Sequence, residues 1–203
     1  MSDSDSTSPS EGSVPSNPPP SPAVAKQAPG VRDAREAPQA DVSLKTGDLV
    51  GGVFRVDRLL GSSGGGVSYL CTNQNDEDQV VIKVFTVPDP GQALAKEARA
   101  QVKKASQIRQ RNLTKILGMG ETASGQIFVA MEYVRGSTVS RVLSQRREKG
   151  EGISMRDAFT ILAHTCDALE AAHQRLAHGV LTPYNIYLSH KGVVKVGNLA
   201  FGR

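Results

Sequence analysis

The sequence predicts an α+β fold, because strand patterns fill the first half of its folded part and helix patterns the second. Short runs of alternating apolar and polar residues, separated by glycine-rich turns, extend from Gly47 to Met131 and enclose one helix pattern. After Gly136 the pattern changes to helix, and a hairpin pattern follows near the end. We therefore expect an N-terminal β-sheet lobe with one helix, followed by a helical part.

The first 44 residues differ in composition from the rest of the chain. They contain eight of the eleven prolines, nine serines and no aromatic residue, with three basic against six acidic side chains. Such a segment cannot bury enough apolar surface to offset the entropy lost on ordering, so we predict that residues 1–44 are disordered. Because the whole chain carries +4 and this tail −3, residues 45–203 carry +7.

Three strands are predicted at the start of the folded part. Residues 53–60 begin with an apolar and polar alternation, and residues 67–71 resume it after the glycine-rich turn at 61–66. Residues 79–85 form a mostly apolar strand that contains one lysine, Lys83. Together these runs predict a strand, a flexible turn and two further strands.

One helix and two more strands are predicted next. Residues 92–109 are rich in Ala, Lys, Gln and Arg, which favours a helix. Residues 113–117 and 126–131 read as strands on either side of a turn at 121–125.

The last third of the chain reads as a helix followed by a hairpin. Ser154, with Asp157 three residues later, forms a capping box that opens an amphipathic helix over residues 155–173. Residues 186–188 and 193–196 then read as two strands across a short polar turn.

Composition and spacing argue against several classes of protein. The N-terminus lacks the basic start and apolar run of a signal peptide, and no stretch reaches the roughly 18–20 apolar residues that cross a bilayer. We therefore expect a cytoplasmic protein without a membrane segment in this chain. Cys71 and Cys166 show no disulfide or metal-ligand spacing, and the four histidines show no zinc-site spacing.

Basic residues are frequent between positions 92 and 115. No aromatic residue is interleaved with them, as a stacking platform for nucleic acid would need, so we read them as a solvated helix face and expect no nucleic-acid binding. They are Lys96, Arg99, Lys103, Lys104, Arg109, Arg111 and Lys115.

Two features of the predicted sheet are a glycine-rich turn and a lysine within an apolar strand. The turn at 61–66 is not a P-loop, because Val67 stands where that motif requires lysine. A lysine inside an apolar strand is costly unless it has a partner, and Lys83 lies in the run Val-Val-Ile-Lys. Glu97, in the predicted helix that follows, is a candidate partner for Lys83.

Three further motifs follow in order along the chain. Residues 131–136 read Met-Glu-Tyr-Val-Arg-Gly, between the predicted sheet and the helical part. Residues 178–185 read His-Gly-Val-Leu-Thr-Pro-Tyr-Asn, and residues 198–200 read Asn-Leu-Ala. With the glycine-rich turn and the lysine strand, this series resembles the protein kinase family, in its bacterial Ser/Thr form, over about residues 47–203.

The resemblance implies a fold, a cofactor and a set of nucleotide contacts. It implies a small lobe over residues 47–131, a hinge over 132–136 and an incomplete large lobe over 137–203, since in the family more helices follow the position of Arg203. It implies ATP with Mg²⁺ as the cofactor. The residues matching nucleotide-binding positions are Gly61, Gly64, Gly66, Lys83, Glu97, Glu132, Val134 and Asn185.

The sequence departs from the family where the chemistry occurs. Val180 stands in place of the catalytic Asp, and Thr182 in place of the nearby Lys. Valine neither accepts a proton nor orients a substrate hydroxyl. Asn198 replaces the metal-binding Asp, and a neutral amide oxygen is a poorer Mg²⁺ ligand than a carboxylate, so Asn185 and Asn198 would hold a metal weakly if at all.

These departures lead us to expect a pseudokinase: a kinase-like signalling or scaffold module that retains a nucleotide and docks another protein. The alternatives are an active or weakly active Ser/Thr kinase, a piece of a longer active chain, and a truncated product that folds poorly. Without the later helices of the family, the apolar face of helix 155–173 would be partly exposed, which implies a partner or instability. The sequence leaves the oligomeric state open.

Overall fold

The computed structural model describes residues 44–63, 66–85 and 93–199. The predicted disordered tail at 1–44 therefore lies outside the described residues, except for its last position.

Nine strands in this part of the chain form two antiparallel sheets. The larger sheet has the order β1-β2-β3-β4-β6-β5, and the smaller one the order β7-β8-β9. The strands are β1 (Leu49–Val50), β2 (Phe54–Ser63), β3 (Gly66–Asn73), β4 (Gln79–Phe85), β5 (Ile116–Glu121), β6 (Ile127–Glu132), β7 (Gly136–Thr138), β8 (Ile186–Ser189) and β9 (Val194–Val196).

Three helices accompany the sheets in the described residues. They are α1 (Ala93–Ser106), α2 (Val139–Glu148) and α3 (Met155–His173). The predicted start of α3 is confirmed, since Ser154 is its N-cap and its hydroxyl accepts the N–H of Asp157 at 3.0 Å. The capping box itself is altered, because the Asp157 carboxylate accepts the Ser154 hydroxyl at 2.7 Å in place of the Ser154 backbone N–H. None of these helices combines the length and the apolar character needed to cross a membrane.

The α+β prediction is confirmed, with one strand start misplaced and two short strands missed. The strand predicted at 113–117 begins only at Ile116, because Leu113 instead makes a parallel bridge to Val196 of β9. The short strands β1 and β7 were not predicted. Strand β7 depends on Gly136, where a Cβ would lie 2.0 Å from the Leu188 carbonyl oxygen, so only glycine permits this pairing.

The larger sheet has a buried cluster on each face. Val80, Ile82 and Val84 of β4 belong to a cluster formed within the sheet itself. Val81 and Phe85, on the opposite face, pack against a second cluster that includes residues of α1, α3 and β9. Since side chains alternate along a strand, Lys83 shares the face of Val81 and Phe85.

Helix α3 buries one face and exposes an apolar stripe on the other. Ile161, Thr165, Ala168 and Ala172 are its buried residues. The exposed stripe comprises Met155, Phe159 and Leu162, whose exposed fractions are 74%, 66% and 60%. The expectation that the apolar face of this helix is partly exposed is confirmed.

Candidate functional site

Lys83 lies at the centre of the larger sheet. It pairs across the strands with Ser68 of β3 and Val129 of β6, and only 2% of its surface is exposed. Burial disfavours the charged ammonium and lowers the pKa of Lys83 to about 8. The sheet thus holds an amine whose protonation is easily changed, at the position that the resemblance assigns to phosphate contact.

Gly66 packs directly on Lys83. A Cβ at position 66 would lie 2.7 Å from the Val84 carbonyl oxygen and 3.2 Å from Cε of Lys83. No side chain fits there, so glycine brings the backbone of β3 against the lysine stem. Gly61 has a φ of 145°, a conformation that glycine adopts readily. Gly64, the remaining glycine of the predicted phosphate loop, lies outside the described residues.

Glu97 is not joined to Lys83 in this structure. Its side chain is exposed on α1. The ion pairs among the described residues are Arg55–Asp57, Arg99–Glu121 and Lys195–Glu132, and Glu97 belongs to none of them. The pairing implied by the resemblance is therefore absent from this arrangement, and a role of Glu97 in nucleotide binding stays a prediction.

The segment predicted as a hinge is anchored by Glu132 at the end of β6. Its carboxylate accepts the ammonium of Lys195 at 2.9 Å and the backbone N–H of Lys115 at 3.1 Å. Lys195 also donates to the Leu113 carbonyl oxygen at 3.3 Å. These contacts tie β6 to β9 and to the segment before β5. Val134 follows in the loop between β6 and β7 and is half-buried.

The loop before β8 is organised by His178, which is 2% exposed. Its Nδ1 accepts the N–H of Val180 at 3.4 Å, and its Nε2 then donates to the Gly197 carbonyl oxygen at 2.7 Å. Burial is the largest cause that lowers the pKa of His178, which favours this neutral ring. Val180 itself is 37% exposed, and the side chain of Thr182 is also exposed.

Asn185 and Asn198 are brought together by a direct hydrogen bond. Nδ2 of Asn198 donates to Oδ1 of Asn185 at 2.7 Å, and Nδ2 of Asn185 donates to the Val180 carbonyl oxygen at 2.5 Å. Gly197 holds the pair in place, because its N–H donates to the Asn185 carbonyl oxygen at 2.8 Å. Asn198 has a φ of 61°, a left-handed conformation that asparagine tolerates better than most residues.

This amide pair does not fit Mg²⁺. The ion demands near-octahedral oxygen ligation and is usually held through carboxylates. Here Oδ1 of Asn185 already accepts an N–H, and that donor lies where a cation would have to approach. Neither amide hydrogen-bonds to a carboxylate of the described residues, and these residues contain no group of three or more His, Cys, Asp or Glu side chains suited to a metal.

A cavity of about 360 Å³ lies elsewhere, between α1 and β5. Its lining includes Val102 and Lys103 of α1 and Ile116 and Met119 of β5, and none of the predicted nucleotide-binding residues. The cavity is therefore separate from the Lys83 site and from the amide pair.

Two residues that organise the site were missed in the sequence. Lys195 lies between the buried Val194 and Val196, and an alternating strand pattern does not indicate Glu132 as its partner. Gly197 was not selected, although a Cβ there would lie 2.8 Å from the Tyr187 ring. The glycine between a strand and Asn198 was the available signal.

Comparison with known proteins agrees with these features. The sequence pattern of the protein kinase domain matches residues 54–203. Among the curated relatives, serine/threonine-protein kinase pkn3 of Myxococcus xanthus is 29% identical over 148 residues, covering 72% of this chain and 26% of that protein. PksC of Streptomyces coelicolor is 28% identical over 153 residues, covering 73% of this chain and 28% of that protein. The chain spans about a quarter of the length of these relatives.

Solved structures give the same fold. The kinase domain of Mycobacterium tuberculosis PknI superposes with a TM-score of 0.68 at 20% sequence identity. The match covers 79% of this chain and 64% of that domain. The protein-kinase-like fold expected from the sequence is therefore confirmed.

Proposed function

The chain belongs to the protein kinase family, and we propose that it is a pseudokinase that holds a nucleotide without transferring its phosphate. We also propose the domain division expected from the sequence: a tail at 1–44 and a kinase-like domain over 45–203, with lobes joined at residues 132–136. Kinases of this family use ATP and Mg²⁺. We propose that this chain still binds ATP and that its site does not suit Mg²⁺.

The observation that carries the proposal is the neutral site formed by Val180, Asn185 and Asn198. Phosphoryl transfer needs a group that accepts or orients the acceptor hydroxyl proton, and Val180 supplies none. It also needs metal ions that neutralise charge between the phosphates, and the hydrogen-bonded amides fit no such ion. Two carboxylates that precede Val180 in the sequence, Asp157 and Asp167, belong to α3, and Asp157 is hydrogen-bonded to Ser154.

Nucleotide retention is supported by the other half of the site. Lys83 remains buried under Gly66, with the backbone of β3 close enough to exclude any side chain. An ammonium held in a site of low polarity is strongly favoured by a phosphate anion. We propose that Lys83, the glycine-rich turn and backbone groups at Glu132 and Val134 provide the contacts to the nucleotide.

Docking of another protein is supported by the stripe on α3. Met155, Phe159 and Leu162 lie about one turn apart and are all more than half exposed. An apolar surface of this kind is typical of an interaction site. We propose that a partner polypeptide covers it when the chain acts as a signalling or scaffold module.

The test is transfer of labelled phosphate from ATP with Mg²⁺ to the chain itself and to casein. We expect no incorporation above that of a Lys83→Met variant. The second candidate function, weak Ser/Thr kinase activity, is favoured by the names of the curated relatives. Incorporation that depends on Lys83 would establish this activity and overturn the pseudokinase proposal.

A further inference from the structure

We propose that Lys83 and the Asn185–Asn198 pair bind the phosphates of a nucleotide without a divalent cation, because an amide N–H of Asn198 occupies the place of the metal beside Asn185. This inference rests on the proposed nucleotide binding and specifies its chemistry. It makes Asn198 a specificity-determining residue for metal-free nucleotide over the metal complex.

The first argument is the direction of the hydrogen bonds. Asn185 has one amide oxygen and one amide nitrogen, and both are used: the nitrogen donates to the Val180 carbonyl oxygen and the oxygen accepts from Asn198. This sequence of donors fixes both amide orientations. A cation at Asn185 Oδ1 would meet the partial positive charge of the Asn198 N–H. The arrangement therefore repels a metal while satisfying the amide that would otherwise have held it.

The second argument is that the backbone builds this arrangement. Asn198 adopts a left-handed φ of 61°, and its neighbour Gly197 is held by contacts with both Asn185 and His178. Leu199, on the other side, is buried in the cluster that packs against Val81 and Phe85 of β4. Asn198 thus lies between two residues with contacts of their own, Gly197 and Leu199.

The third argument is charge. A carboxylate pair beside a nucleotide triphosphate would place like charges together and would require a cation between them. Val180, Asn185 and Asn198 carry no charge, whereas Lys83 on β4 supplies a cation of its own. Asn185 and Asn198 therefore add no negative charge that a cation would have to neutralise, Lys83 offsets part of the triphosphate charge, and amide N–H groups bind phosphate oxygens directly.

The test begins with the unaltered chain, so it depends on no variant. ATP is titrated calorimetrically in excess EDTA and again in excess Mg²⁺. We expect the dissociation constant in EDTA to equal that in Mg²⁺ within about twofold, or to be smaller. A dissociation constant at least about tenfold smaller in Mg²⁺ than in EDTA would overturn the inference.

The Asn198→Asp variant tests the opposite case, a site that should require a metal ion to bind ATP. Its carboxylate would face Asn185 Oδ1 at the present 2.7 Å separation, oxygen against oxygen, an arrangement that a cation would stabilise. We expect this variant to lose about tenfold in affinity for ATP in EDTA and to recover it with Mg²⁺. Asn75→Asp, the same change in an exposed turn, is the matched control and should behave as the unaltered chain. Equal behaviour of the two variants would contradict the role of Asn198.

Metal binding alone separates failure of this inference from failure of the proposed function. Mn²⁺, followed by its paramagnetic resonance signal without nucleotide, should be retained by Asn198→Asp and not by the unaltered chain. Absence of ATP binding under every condition would overturn the proposed function. The Mn²⁺ result would then still decide whether the amide pair excludes a cation, since retention by the unaltered chain would overturn the inference.

Discussion

The site on the larger sheet and the site beside β9 handle charge in opposite ways. Around Lys83 the chain keeps an amine buried at 2% exposure, and this burial lowers the pKa of the lysine to about 8. Around Asn185 and Asn198 the chain has no charge, and the two amides satisfy each other. In our proposal, phosphate binding depends on the first site and phosphate transfer on the second, so one can be kept while the other is lost.

Removing the buried amine of Lys83 should have the largest effect on nucleotide binding and on stability. We expect Lys83→Met to abolish the thermal shift produced by ATP while making the chain without nucleotide about 1–3 kcal/mol more stable, because a pKa lowered to about 8 reports the cost of burying the ammonium. Urea denaturation and thermal unfolding measure both effects. The exposed Lys104→Met is the control. Loss of stability in Lys83→Met would show that the lysine is a structural residue.

A side chain in the space above Lys83 should have the second-largest effect, a loss of stability. Gly66→Ala would place a methyl group 2.7 Å from the Val84 carbonyl oxygen, so β3 must move away from β4. We expect a loss of about 2 kcal/mol in the free energy of unfolding, measured in urea. Gly118→Ala, with no atom within 4 Å of the new Cβ, should change it by less than about 0.5 kcal/mol. Equal effects would contradict the close approach at Gly66.

The pH dependence of the lysine site has a defined sign. Without ligand, the pKa of Lys83 is about 8, below the ordinary 10.5, so unfolded chains bind more protons between these values and stability rises with pH across that range. Phosphate favours the ammonium, so nucleotide affinity should fall about tenfold from about pH 7 to about pH 9. Calorimetric titration across this range measures it. An affinity that does not change with pH would show that the phosphates do not contact Lys83.

The contact between Lys195 of β9 and Glu132 of β6 should contribute less to stability. Lys195→Met removes the donors to Glu132 and Leu113, and we expect a loss of about 1 kcal/mol in the free energy of unfolding. The Arg55–Asp57 pair is longer, at 3.9 Å, and its arginine is 53% exposed, so Arg55→Met should be nearly neutral. Denaturant unfolding compares the two. Equal costs would mean that the Glu132 contact does not stabilise the junction of the lobes.

The smallest effect should come from Glu97. Because it is exposed and belongs to no ion pair of the described residues, Glu97→Gln should change stability by less than about 0.5 kcal/mol and nucleotide affinity by less than about twofold. Thermal unfolding with and without ATP checks both values. A loss of binding comparable to that of Lys83→Met would show that α1 moves to pair with Lys83 when nucleotide binds.

Local patterns in the sequence predicted most of the fold. The alternation in β2 and β3 and the Ser154 cap of α3 appear where expected, because side-chain periodicity and capping are properties of a few adjacent residues. The start of β5 was misplaced because Leu113 pairs with β9, which lies far along the chain. A contact between residues so far apart in the chain produces no periodic pattern in the sequence around Leu113.

The site was predicted in part for the same reason. The resemblance to the kinase family singled out Asn185 and Asn198 together, and the structure brings them into contact. The direction of their hydrogen bond follows from the other bond of Asn185, whose nitrogen donates to the Val180 carbonyl oxygen, and residue identity does not specify that contact. The separation of Glu97 from Lys83 reflects how α1 packs on the sheet, and this too depends on tertiary contacts.

Thermal unfolding of the unaltered chain with and without ATP, beside the Lys83→Met variant, tests the central claim most directly. Nucleotide at about 100 times its dissociation constant stabilises a folded chain by about 2.7 kcal/mol. We predict a cooperative transition that rises by several degrees with ATP in the unaltered chain and stays fixed in Lys83→Met. A transition that ATP leaves unmoved in both chains, or raises equally in both, would contradict the claim that Lys83 retains a nucleotide.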